Sequence, residues 1–363
     1  MARNKRKKKA KAPQPPSPNT QESSPLFRLP VELRAEIYSR VFSTTRISHG
    51  LKAISVTSRF WISPAENSLT LLRTCRRVRG EIGDSCLGQV LFSFEHPRDM
   101  LEKFTALPHQ IVGKIRCLRL RGNAFDVAYR SARHDTYCYL FNVFKLLPGL
   151  CLDQLTILGP LGDTLSYESI DNLVSMGSGW KELRYITYSS KVLAYKVPIQ
   201  VETMYWPRRK PQPDHWQKVL EDRDGKSSAP SVTIYRAIEP KRHGAILDPA
   251  ARQVYRQEAP QTEIELADYG REEDAYLIAP GEREKEVMVV VKRGFGADYE
   301  EKGNYPEIPR FGGGTPRRVW FKLKDMSLDK MYWKPGGRYP DMVDSYVSVD
   351  DYEWTPAHAN CNW

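Results

Sequence analysis

The chain has 363 residues, 40% of them hydrophobic and 27% charged, with a formal net charge of +11. That balance fits a globular protein with a sizeable core and excludes a chain disordered throughout. No apolar run approaches the about 20 residues of a membrane-spanning helix, and no apolar stretch follows the basic N-terminus as a secretory signal requires, so a soluble protein of the nucleus or cytoplasm, without a membrane partner, is expected.

The charge is uneven. Residues 1–12 hold seven Lys and Arg and no acid, which leaves only +4 for the rest of the chain. The basic character therefore belongs to a tail, and nucleic-acid binding by the folded part is not expected. Residues 1–25 join this block to the proline-rich run Pro13-Gln14-Pro15-Pro16-Ser17-Pro18 and read as a disordered basic tail. Within it Lys5, Arg6, Lys7, Lys8 and Lys9 form a block of nuclear-localisation type, with a solvating or RNA-binding tail as the alternative. The six cysteines include no C-x-x-C pair and read as free, mostly buried thiols.

Order is predicted to begin near Pro25. Pro30 suits the first position of a helix, where its missing N–H is harmless. Leu33, Ile37 and Val41 then recur at i, i+4 and i+8, and Tyr38 and Phe42 widen that apolar face. Residues 43–66 look polar and irregular. A second helix is predicted over residues 67–82, with Leu71, Cys75, Val78 and Ile82 in one stripe and Arg73, Arg76 and Arg77 on a solvated face. Val90–Glu95 reads as a strand, and Pro97–Leu107 as a helix.

Next the pattern φ-x-x-L-x-φ occurs three times, at Ile115–Leu120, Leu152–Ile157 and Trp180–Tyr185, each after a segment of helical character. It fits a leucine-rich-repeat-like stack, and equally three ordinary strands of an α/β sheet. Either way strands alternate with helices and a parallel arrangement is expected. Residues 201–230 are polar and turn-rich and read as a linker or long loop. Short β-like runs follow at Ser231–Ile238, Ala275–Ile278, Val287–Lys292 and Val319–Leu323, giving a β-rich region over 231–335. Residues 336–363 read as an acidic tail. The fold class is thus α+β or mixed: a helical module over 26–96, an alternating α/β domain over 97–200 and a small β-containing C-terminal region.

No catalytic constellation is visible. Gly177-Ser178-Gly179 lacks the flanking pattern of a nucleophile elbow, and there is no phosphate-binding or H-E-x-x-H motif. His358 and Cys361 have no second pair nearby to complete a zinc site. A non-enzymatic protein with no cofactor and no metal is expected.

The segment Phe27-Arg28-Leu29-Pro30-Val31-Glu32-Leu33-Arg34-Ala35-Glu36-Ile37-Tyr38 resembles the first helix of an F-box, with its L-P-x-E-[IL]-x-x-x-I core. Leu71-Leu72-Arg73-Thr74-Cys75-Arg76-Arg77-Val78-Arg79-Gly80-Glu81-Ile82 is similar to a later F-box helix. With Gly179-Trp180-Lys181-Glu182-Leu183-Arg184-Tyr185-Ile186 downstream, residues 26–195 resemble a large group of fungal F-box-like proteins. The resemblance implies a helical module that docks on the Skp-type adaptor of a cullin ubiquitin ligase, while the downstream domain presents an unknown protein substrate. Leu29, Pro30, Leu33, Ile37 and Val41 are then the candidate partner-binding residues, offered to an apolar groove. The same residues fit a local core instead. Two other readings stay open: a scaffold without ligase association, and a nuclear nucleic-acid-associated protein acting through its basic tail.

Overall fold

Leucine and β-branched residues alternate with polar ones along five short stretches, and these pair side by side in the order of the chain. A computed structural model describes residues 24–49, 51–53, 59–61, 70–122, 125–127, 136–138, 140–159, 163–201, 204–242, 244–258, 274–303 and 315–326. The basic tail up to residue 23 and the acidic segment 336–363 lie outside the described residues.

The N-terminal module has helices α1 (Pro25–Arg28) and α2 (Val31–Ser43), strand β1 (Arg46–His49), a small antiparallel pair β2 (Leu51–Ala53) and β3 (Arg59–Trp61), and helices α3 (Thr70–Thr74) and α4 (Arg76–Ile82). The continuous second helix expected over 67–82 is broken at Cys75. Its backbone is extended, and its Sγ caps α4 by accepting from Val78 N at 3.4 Å. Pro30 sits one position earlier than expected, as the N-cap of α2. The stretch read as irregular contributes β1 to the main sheet.

The alternating region follows. Strand β4 (Leu91–Phe94) leads to α5 (Pro97–Phe104), α6 (His109–Val112) and β5 (Cys117–Arg121). A two-stranded pair, β6 (Phe125–Val127) and β7 (Thr136–Cys138), precedes α7 (Leu140–Phe144), β8 (Leu152–Leu158), α8 (Asp163–Met176) and β9 (Trp180–Thr187). Strands β1, β4, β5, β8 and β9 are parallel neighbours in that order. All three repeated patterns fall on the last three of these strands. Leu118, Leu120, Leu155, Ile157, Leu183 and Tyr185 point to one face and pack against Leu101, Phe104, Phe144 and Ile170 of the crossover helices. Gly179, at φ +89°, makes the turn from α8 into β9, and a Cβ on Gly177 would stand 2.7 Å from the Leu173 carbonyl oxygen. The two glycines of Gly177-Ser178-Gly179 thus serve a helix-to-strand connection.

Beyond residue 196 the structure departs from the sequence expectations. The stretch read as a linker, 201–230, contains strand β11 (Met204–Arg208), which pairs antiparallel with β10 (Val197–Val201) just before it, and helix α9 (Asp214–Asp224). Trp216 and Leu220 of α9 are fully buried, and Trp216 Nε1 donates to Asp171 Oδ1 at 3.1 Å. Arg223 donates to the carbonyls of Val174 and Gly177, at 3.0 and 2.6 Å, and so closes the C-terminal end of α8. Burial and the neighbouring Arg293 bring its pKa down to about 10.

Strands β12 (Ser231–Ala237), β13 (Arg252–Tyr255) and β14 (Val287–Lys292) form no separate unit. Strand β14 pairs antiparallel with β9, β12 with β14, and β13 with β12, completing one eight-stranded sheet. The β-like runs at Ala275–Ile278 and Val319–Leu323 are helical instead, as α10 (Ala275–Ile278) and within α11 (Pro316–Met326). Short apolar runs carry no period of their own, and burial against a neighbour decides them. Trp320 of α11 is buried and donates through Nε1 to Glu102 at 3.0 Å. Among the described residues no helix is long and apolar enough to cross a membrane.

Candidate functional site

Helix α2 carries two series at four-residue spacing, and they lie on adjacent sides. Arg34, Tyr38 and Phe42 face inward and are buried. Leu33, Ile37 and Val41 face outward, with 52%, 38% and 40% of their surface exposed, and Val31 at the start of the helix is 54% exposed. Pro30 is exposed and Leu29 half-buried. The expected apolar stripe therefore exists as a stripe, but it is on the surface. Tyr38 and Phe42, expected to widen it, instead turn into the module's core.

The choice follows from what each series offers to α4. Tyr38 and Phe42 bring two large rings that meet Val78, Ile82, Cys86 and Val90 in a small cluster of their own. Arg34 goes in with them because its charge is met completely. Its guanidinium donates to both oxygens of Glu81, at 2.9 and 2.8 Å, and to the Leu29 carbonyl. Glu81 also accepts from Tyr38 OH at 3.0 Å and from Arg77 Nε at 3.1 Å. The Phe27 ring of α1 lies under both guanidiniums, with Arg77 Cζ at 4.5 Å from its centre and Arg34 Cζ at 5.9 Å.

The electrostatics of this lock agree with its geometry. The hydrogen bonds from Arg34, then those from Arg77 and Tyr38, hold the Glu81 carboxyl below its ordinary pKa against the opposing effect of burial. The Tyr38 phenol is pushed up by burial and by the Glu81 carboxylate. Arg34 rises through its bond to Glu81.

The lock fixes α2 to α4 along one side and leaves the aliphatic side without a partner among the described residues. Of the arginine face expected on this stretch, Arg73 of α3 and Arg76 of α4 are exposed, whereas Arg77 bonds Glu81 and lies over the Phe27 ring. The Arg34–Glu81 pair is absent from the sequence reading, since its partners are 47 residues apart. Lys5, Arg6, Lys7, Lys8 and Lys9, together with His358 and Cys361, lie outside the described residues. Among the described residues no three His, Cys, Asp or Glu side chains converge as metal ligands. No protein-family model, curated protein or solved structure matches the chain.

Proposed function

We propose that this is a non-enzymatic interaction protein whose N-terminal helical module docks on the Skp-type adaptor of a cullin ubiquitin ligase, while the sheet domain presents a protein substrate. One observation carries the reading. Leu33, Ile37 and Val41 stand outward on a helix whose other side is held by buried aromatic rings and a fully paired arginine. Helix-in-groove recognition suits this arrangement: a pre-formed helix with apolar anchors at four-residue spacing on one face. Pre-organisation also lowers the ordering entropy paid on binding.

The chain-order run of parallel strands β1, β4, β5, β8 and β9 supports a leucine-rich-repeat-like reading of the domain that carries the substrate. The test is co-purification with the Skp-type adaptor, wild type against Leu33→Asp/Ile37→Asp, with circular dichroism on both. Binding lost in a variant that keeps its helical signal supports the adaptor reading. A folded wild type that does not bind overturns it, leaving a module whose apolar face serves another partner.

A further inference from the structure

We propose that Thr315 is the acceptor of a proline-directed serine/threonine kinase, and that its phosphate tightens helix α11 onto α5. The chain holds five Ser-Pro or Thr-Pro pairs, at Ser17, Ser24, Ser63, Thr315 and Thr355. Only Thr315 has arginines two and three residues on, in Thr315-Pro316-Arg317-Arg318; at the third place after the others stand Thr20, Phe27, Glu66 and His358. The proline biases the residue before it toward extended backbone, the form in which a kinase cleft takes a peptide. Thr315, Arg317 and Arg318 are exposed, and the first buried side chain of the helix is Val319. The first turn can therefore open to an enzyme while Val319 and Trp320 stay seated.

The site is the hydroxyl in this motif; the helix that follows decides what the phosphate does. Thr315 is the N-cap of α11: its carbonyl accepts from Arg318 N at 2.9 Å and from Val319 N at 3.1 Å, with Pro316 at the first helical position. The first turn holds Arg317 and Arg318 and no acid, the wrong sign for the positive end of a helix. Arg317 leans over the Phe321 ring at 5.6 Å, and Arg318 stands exposed. In the transfer, Thr315 Oγ1 attacks the γ-phosphorus of ATP. The new O–P bond forms as the bond to the β,γ-bridging oxygen breaks, ADP leaves, and the kinase's base takes the hydroxyl proton. The product sets about two negative charges against the helix start and its arginines. It steadies a helix already seated: Val319 and Trp320 belong to the main core, and Trp320 Nε1 donates to Glu102 of α5. None of this depends on what α2 binds.

The test treats the full chain with a purified cyclin-dependent kinase and magnesium ATP, maps the phosphate by tandem mass spectrometry and follows hydrogen exchange of α11. Thr315 should take up phosphate about tenfold faster than any other Ser-Pro or Thr-Pro site, and Arg318→Ala should remove most of that lead. The phosphorylated chain should exchange its α11 amides about fivefold more slowly than the untreated chain, with β12–β14 unchanged. Thr315→Ala, treated in the same way, should show no slowing, which separates this phosphate from any placed elsewhere. Thr315 left unmodified, modified no faster than the other sites, or indifferent to Arg318→Ala overturns the inference. So does a phosphorylated Thr315 without slower exchange at α11, or slowing that persists in Thr315→Ala.

Discussion

Helix α2 makes a demanding prediction because its two neighbouring series should respond in opposite ways. Phe42 is 1% exposed and packs in the small core shared with Val78 and Ile82. Truncating it to alanine should cost about 3–5 kcal/mol, the usual range for a buried phenylalanine. Leu33 and Ile37 are already 52% and 38% exposed. Full burial of such a side chain contributes about 1.5–3 kcal/mol, so replacing both with aspartate should cost about 2 kcal/mol and leave the module folded. If the stripe were core, two uncompensated charges there would cost several kcal/mol each and unfold the module. The assay is urea denaturation followed by far-ultraviolet circular dichroism, combined with hydrogen exchange over residues 25–45, since this core is distinct from the main one and can open separately. The reasoning fails if Leu33→Asp/Ile37→Asp loses its helical signal, or if Phe42→Ala proves the milder change.

Burial raises the Asp99 carboxyl to about 6. A carboxyl raised on folding contributes stability that is present below its unfolded pKa and lost as pH rises through 6, so Asp99→Asn should flatten the melting profile between about pH 4 and 6 and add about 1 kcal/mol above it, after allowance for solvent screening. Glu81 has the opposite sign: its contribution is present above the ordinary glutamate pKa and disappears as pH falls through the lower folded value, so exchange of the α2 amides should accelerate on acidification, and Glu81→Gln should abolish that acid dependence. In the buried pair of Asp224 with Arg293, both bonds at 2.7 Å, Asp224→Ala should cost about 3–5 kcal/mol in urea unfolding, and Asp224→Leu/Arg293→Met should recover much of it. Limited proteolysis should leave Asp214–Asp224 uncut, because Trp216 and Leu220 anchor that helix; early cleavage there would restore the linker reading.

What the sequence revealed depended on how local the signal was. The three φ-x-x-L-x-φ strands were legible because their alternation sits inside six residues each. Helix α2 was legible too, but its orientation was not. Counting apolar residues favours Leu33, Ile37 and Val41 as the inner face, whereas Arg34, Tyr38 and Phe42 turn inward to the rings' cluster with Val78 and Ile82 and to a carboxylate 47 residues away. The antiparallel addition of β14 to β9 joins Val287 to Thr187, a separation no short window reports. Likewise α9 looked like linker because its polar composition conceals two large side chains, Trp216 and Leu220, one turn apart.

The most direct test of the account is hydrogen exchange on the full chain with and without the purified Skp-type adaptor. The account predicts protection of the amides across Val31–Ser43, with β12–β14 unchanged. Unaltered exchange at α2, or protection confined to the sheet domain, would contradict it.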